Sequence, residues 1–440
     1  MEQNPQLTQP RHRLVFRRKP LWIASTLVVG GLALAGCSAV AQTATDTTSE
    51  SSSTTASSST ASTAGDAIIT ASTGSEDATT TQETIADTTA AVEALLATLS
   101  DEQVEAVTYD YDDETKTTSW SNFPVTFVER AGLNLAELTD EQQEAAMAVL
   151  EALLSDDAYA TVTAIMGGDQ YLLENSSTTE SSLGQYYIAF FGDASDTDAY
   201  AVQFGGHHLG INADLNGSEN AITFAPTHLG VQPAVYTNED GEEVQPFDAI
   251  YTDAFAFYDS LTAEQQATLT SGEVTFCAPG DTCEYESGAG LSGADLTDEQ
   301  KELLLELIAN WAGMADEETT ETELAEIEAT LDETIIAWSG ETTYDMSTGD
   351  GINFSISGPN VYLAFQAQGG SAGADVEGVS TSGWGHVHTI YRDPSNDYAN
   401  SVEQQAATGG TGGGAPGGEM PSGEPPADGE APSGAAAEGS

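Results

Sequence analysis

Apolar and polar positions follow two different periods along this chain, and the two occupy different stretches. Four segments share one helix-start pattern: Leu99-Ser100-Asp101-Glu102-Gln103, Leu138-Thr139-Asp140-Glu141-Gln142, Leu261-Thr262-Ala263-Glu264-Gln265 and Leu296-Thr297-Asp298-Glu299-Gln300. In each, the Ser or Thr side chain can accept from the backbone N–H three residues on, and the Gln at that position can return a bond. The acids between them suit the positive end of the helix dipole. The spacing of the four is irregular, which argues against a solenoid. Apolar periodicity predicts helices over 140–154, 298–310 and 316–337, the last with Leu324, Ile327, Leu331 and Ile335 on one stripe. Runs with strand character fall elsewhere, at 185–191, 200–211, 221–229, 352–356, 361–367 and 386–391. Helices and strands are largely segregated, so the expected class is α+β: helical segments packed on a mainly antiparallel sheet that contains a histidine-bearing hairpin.

The flanks differ from this middle. A basic stretch ending at Lys19 leads into an apolar run of about 14 residues, too short for a permanent span of a bilayer roughly 30 Å thick. Small residues then precede Cys37, the order of an export signal. Leu34-Ala35-Gly36-Cys37 resembles a bacterial lipoprotein box, and the resemblance implies lipidation of Cys37 and a membrane-anchored, extracytoplasmic protein. Residues 1–36 are thus expected to be a signal peptide and 37–82 a Ser/Thr-rich disordered tether, with an α+β domain over 83–403. Residues 404–440, rich in Gly, Pro and Ala, are expected to be a disordered tail. The remaining cysteines, Cys277 and Cys283, enclose a turn-forming Ala-Pro-Gly-Asp-Thr, and in an oxidising compartment the expectation is a disulfide rather than a zinc clip.

Charge narrows the partners. The chain has 71 Asp and Glu against nine Lys and Arg, a net charge of −62, and only Lys116, Arg130, Lys301 and Arg392 lie beyond residue 37. Such a field repels nucleic acid and anionic headgroups and attracts cations, so nucleic-acid binding is excluded and the membrane partner is reached through lipid on Cys37. A carboxylate surface with so little lysine also predicts stabilisation by added salt.

Candidate chemistry is concentrated in the histidines. Five of the six fall in three strings: Gly205-Gly206-His207-His208-Leu209-Gly210, Pro226-Thr227-His228-Leu229-Gly230, and a run from Gly385 to Tyr398 with His386 and His388. If Asn216-Gly217-Ser218 turns a hairpin, one of His207 and His208 shares a face with His228, at about 4.5–8 Å between Cβ atoms depending on register. His386 and His388, two apart on a strand, project from one face about 6.5–7 Å apart, with Ile390 and Arg392 following. Imidazoles so spaced can meet on one transition metal ion (Zn, Cu or Fe), with carboxylates as further ligands or supports. Metal-free acid/base chemistry and plain structural hydrogen bonding are the competing roles. For Arg392 the alternatives are an ion pair with the adjacent Asp393 or a bidentate anchor for an anionic substrate.

Two other motifs are weak. Gly369-Gly370-Ser371-Ala372-Gly373 fits a nucleophile-elbow pattern, but no helix pattern follows it. The run from Asn212 to Gly217 opens like a calcium loop, but its twelfth position is Thr223, so a hairpin is expected.

The lead-in to the first histidine string, the passage from Pro226 to Ala234, and above all His386-Val387-His388-Thr389-Ile390-Tyr391-Arg392-Asp393-Pro394-Ser395-Asn396-Asp397-Tyr398 resemble the domain of unknown function 3500 family over most of residues 85–400. One departure is Ala399, where the family pattern has Gly. The resemblance implies a secreted or membrane-attached protein of uncharacterised activity and supplies no mechanism. The residues themselves point to a metal-binding lipoprotein domain. The alternatives are a metal-dependent hydrolase acting on an anionic substrate, and a metal-free envelope interaction protein.

Overall fold

The computed structural model describes residues 80–126, 128–180, 183–270, 289–371 and 373–403. Cys37, Cys277, Cys283, the expected signal, nearly all of the expected tether and the expected tail lie outside them.

All four helix-start segments form reciprocal capping boxes: Ser100, Thr139, Thr262 and Thr297 each accept from the backbone of the Gln three residues on, and that Gln side chain accepts from the cap residue's N–H. The segments come in two pairs, because the chain runs twice through one plan. In the first pass, α1 (Thr81–Thr98) packs on α2 (Asp140–Leu153), followed by α3 (Asp156–Asn175). In the second, α4 (Asp248–Ser260) packs on α5 (Asp298–Ala312), followed by α6 (Glu317–Glu328). The capping glutamines tie each pass together in the same way. Gln142 Nε2 donates to Thr98 O at 3.0 Å and to Gln103 at 3.2 Å, while Gln300 Nε2 donates to Ser260 O at 2.8 Å and to Gln265 at 3.0 Å.

Each pass also supplies five strands. The first gives β1 (Leu133–Asn134), β2 (Tyr187–Phe191), β3 (Ala199–Gly205), β4 (Leu209–Asn216) and β5 (Thr227–Val231). The second gives β6 (Leu291–Ser292), β7 (Ile335–Gly340), β8 (Ile352–Ser357), β9 (Tyr362–Gln368) and β10 (Gly383–Arg392). With Thr108–Tyr109 beside β2 and Ala221–Thr223 beside β4, they make one twelve-stranded sheet, antiparallel except at Thr108–Tyr109, so the class is α+β as expected. Its order mirrors itself: β2-β3-β4-β5 meets β10-β9-β8-β7 at an antiparallel β5–β10 seam with Thr227 opposite Tyr391 and Gly230 opposite His388. β3 and β4 are buried throughout apart from Ala199 and Asn216 at one end, so that even the polar Gln203, Asn212 and Asp214 lie inside.

Two expectations need correcting. The helix expected over 316–337 stops at Glu328, and after a short 3-10 turn β7 starts at Ile335. The apolar stripe was also compatible with a strand, and β-branched Thr334-Ile335-Ile336 between two partner strands favours the pleat. The run 200–211 is two strands, not one. Gly206 N donates to Leu209 O at 2.8 Å and closes a tight turn on His207 and His208. The turn near Asn216 exists as well, with four residues, 217–220, between paired Asn216 and Ala221.

Candidate metal centre

The β3–β4 turn decides where the first two histidines go. Neither lies across a ladder from His228, as the two-strand hairpin required; Gly210 takes that place opposite His228. Instead His207 and His208 leave the turn together, their rings stacked with centroids 3.9 Å apart. Arg130 secures the turn from outside by donating from Nη2 to Gly206 O at 2.8 Å. The question of which of the two histidines points inward therefore has the answer that both do.

His228 comes from β5, and His386 and His388 come from one face of β10 across the seam. The ring of His388 is the hub: its centroid lies 4.9 Å from that of His386, 5.2 Å from His208, 5.3 Å from His228 and 6.5 Å from His207. Relative exposure is 8% for His207, 6% for His386, 4% for His388, 1% for His228 and 0% for His208. Two stretches of chain separated by about half the domain thus bring five imidazoles into one buried cluster.

The far side of three rings is fixed. Nδ1 of His228 donates to Thr389 O at 2.6 Å, Nδ1 of His386 to Gly369 O at 2.6 Å, and Nδ1 of His208 to Asp169 Oδ1 at 2.6 Å. A carbonyl or carboxylate oxygen can only accept here, so each Nδ1 carries the proton and each Nε2 carries a lone pair. The supports are themselves supported: Trp311 Nε1 on α5 donates to Thr389 Oγ1 at 2.8 Å, and the Tyr186 hydroxyl donates to Asp169 Oδ2 at 2.8 Å. Burial holds all five imidazoles below their usual pKa, His228 at about 3 and His386 at about 4. They are neutral at pH 7, the state that binds metals.

The freed lone pairs face inward. Nε2 of His208 and Nε2 of His228 are buried with no hydrogen-bond partner, while Nε2 of His386 accepts from Nε2–H of His388 at 2.9 Å. One nitrogen each from His208, His386 and His388 lies within 4.8 Å of the others, and so does one ligand atom each from Asp169, His207 and His208. Such a set can hold a metal ion. Imidazoles that turn Nε2 inward while Nδ1 is pinned to a carboxylate or a carbonyl have the arrangement of metal-binding histidines.

Asp169 is the residue that sequence reasoning missed. It lies on α3 among the buried Val162, Ile165 and Leu172, a carboxylate set into an apolar helix face, and burial pushes its pKa up to about 6. Two glycines let its helix and the strands come close. A Cβ on Gly167 would stand 2.3 Å from the Tyr236 hydroxyl, which donates to Ala164 O, and a Cβ on Gly230 would stand 3.3 Å from the His208 ring.

Arg392 is the last residue of β10. It is fully buried, and its Nε donates to Asp397 Oδ2 at 2.8 Å, so its ion pair is with Asp397 and not with the adjacent Asp393. Ser371 Oγ donates to Gln232 Oε1 at 3.2 Å and bonds no histidine. Asn212 sits inside β4, donating to Pro226 O and accepting from Gln203 Nε2, and the calcium-like run is the first arm of the expected hairpin, turning after Asn216.

Comparison with curated proteins and with solved structures gives no match. The family model described as protein of unknown function (DUF3500) matches residues 81–400, which include all five clustered histidines and Asp169, and the chain belongs to that family.

Proposed function

We propose that this protein is an exported lipoprotein that binds one transition metal ion in the histidine cluster, to store it or pass it on. The observation that carries the metal reading is the count of lone pairs. His208, His228 and His386 each commit the Nδ1 proton to an oxygen, which turns three Nε2 lone pairs into a buried space, that of His386 meeting His388 Nε2–H at 2.9 Å. For His208 and His228 no donor meets them. Leaving buried acceptors without donors costs about 1–3 kcal/mol each, and a cation removes that cost. A structural role for the histidines would instead pair each nitrogen with its own neighbour.

Retention is favoured over hydrolysis. The imidazoles are nearly closed off from solvent, and Arg392, the anion anchor of a hydrolytic scheme, is buried in an ion pair. Export and lipidation rest on the signal-like start and Cys37. Among the described residues no helix is long and apolar enough to cross a membrane.

Elemental analysis of the protein purified without chelators tests the metal reading. The expected result is about one transition metal ion per chain, lost to a chelator and regained on titration. Protein that is metal-free as isolated and takes up nothing would refute it.

A further inference from the structure

A buried cation beside the cluster lacks a counter-ion, and this bears on how an ion is held there, in an inference that rests on the metal-binding reading above. Among the described residues, Lys116 pairs with Asp214, Lys301 with Asp332 and Arg392 with Asp397. Arg130 pairs with none of the 71 acids of the chain. It is only 7% exposed, and its two Nη atoms donate to the backbone carbonyls of Ser121, Phe123, Val128 and Gly206. Its Nε–H is buried with no acceptor. Burial lowers the guanidinium to a pKa of about 10, so it keeps its charge at pH 7.

This charge is felt at the histidines. Gly206, which accepts from Arg130 Nη2 at 2.8 Å, directly precedes His207. Burial does most to depress His207 and His228, and the field of Arg130 depresses both further. Nδ1 of His207 is also buried with no partner. A metal ion on the imidazoles adds its charge to that of Arg130, while Asp169 is the one carboxylate grouped with the cluster among the described residues. Buried charges of one sign are costly until opposite charge and hydrogen bonds compensate them. A small anion from solution supplies both, because it can accept from the idle Nε–H.

We propose that the metal ion is taken up together with a small oxyanion, a carboxylate or bicarbonate, that accepts from Nε–H of Arg130 and balances the charge beside the cluster.

The test titrates the full chelator-stripped chain with Zn(II), and separately with Cu(II), against a competing chelator in acetate, bicarbonate or perchlorate at one ionic strength. Perchlorate is the weak acceptor of the three. The expected result is affinity at least tenfold higher in acetate or bicarbonate, the better of the two identifying the anion. By linkage, labelled anion should be held at least tenfold more tightly by the metal-loaded chain than by the stripped one. Arg130→Gln, checked for fold by circular dichroism, should bind the ion equally in all three salts, while Arg130→Lys should keep part of the difference. The wild-type comparison stands even if Arg130→Gln does not fold. Equal affinity of the wild type in the three salts would overturn the anion and leave the metal site standing. A salt dependence undiminished in folded Arg130→Gln would overturn the role of Arg130. Uptake of neither metal in any salt would overturn both proposals.

Discussion

The same turn occurs twice in this molecule with different consequences. Gly206-His207-His208-Leu209 joins β3 to β4, and Gly358-Pro359-Asn360-Val361 joins β8 to β9. Each is closed by its glycine N–H donating to the fourth residue's carbonyl at 2.8 Å. The second turn stays at the surface, where Asn360 Nδ2 donates to Glu326 O near the end of α6. The first is buried. The difference lies in the helix that follows each capped pair: α3 has 20 residues and α6 has 12. Eight more residues add about 12 Å of helix. Asp169 is the fourteenth residue of α3, in the part that α6 lacks, and it is this part that reaches His208. The repeated plan supplies a scaffold, and one lengthened helix turns a surface loop into an enclosed cluster.

Each third helix also carries a buried carboxylate that accepts from a tyrosine. Tyr186 donates to Asp169 at 2.8 Å, and Tyr391 donates to Glu323 at 3.0 Å. Only Asp169 has a histidine on its other oxygen, so the two acids should respond differently to neutralisation. Asp169→Asn is expected to weaken metal binding about 10–100-fold, read by competition with a chelator, while the chain still folds. An unchanged affinity would remove Asp169 from the site.

Glu323→Gln should leave metal affinity intact and alter only the dependence of stability on pH. Burial raises Glu323 from 4.5 to about 7. The folded chain therefore holds a proton that the unfolded chain has released between those values, and this contribution to stability is present below about 4.5 and fades as pH rises through 7. Relative to wild type, the Gln variant should gain stability from pH 5 to 8, by at most about 3 kcal/mol. A difference that does not change with pH would contradict the assignment.

The shared scaffold predicts matched effects. Gln142→Ala and Gln300→Ala each remove the bonds that tie a capped helix to its neighbour, and each should cost about 1 kcal/mol in denaturant unfolding. A large inequality would show that the two passes bear load differently. Smallest of all, Pro359→His with Asn360→His should leave the stoichiometry at one ion per chain, because no reaching helix covers that turn.

Much of this was legible in the sequence. The four capping boxes read correctly because their bonds are local, and the three histidine strings stood out by residue type alone. The meeting of those strings depended on the β5–β10 seam, a pairing between Thr227 and Tyr391 that no local pattern encodes. The β3–β4 turn was hidden by burial: Tyr200 to Ile211 is apolar on both faces, so the alternation that would mark a turn is missing, although Gly205-Gly206 was a signal for it. Asp169 escaped because a single acid on a helix usually faces water. Its place on the stripe of Val162, Ile165 and Leu172 was the clue.

The four cations beyond residue 37 add one more consequence. Lys116 pairs with Asp214 in the interior, Arg130 is consumed by carbonyls, and Arg392 is paired with Asp397, which leaves only Lys301 partly at the surface. The outer shell of the described residues is then almost purely anionic, and it draws a cloud of counter-ions whose density tracks the surroundings. Raising sodium chloride to molar levels should lift the melting temperature by screening that shell. At low ionic strength the same shell should enrich divalent ions next to the protein, and so around the buried histidine cluster.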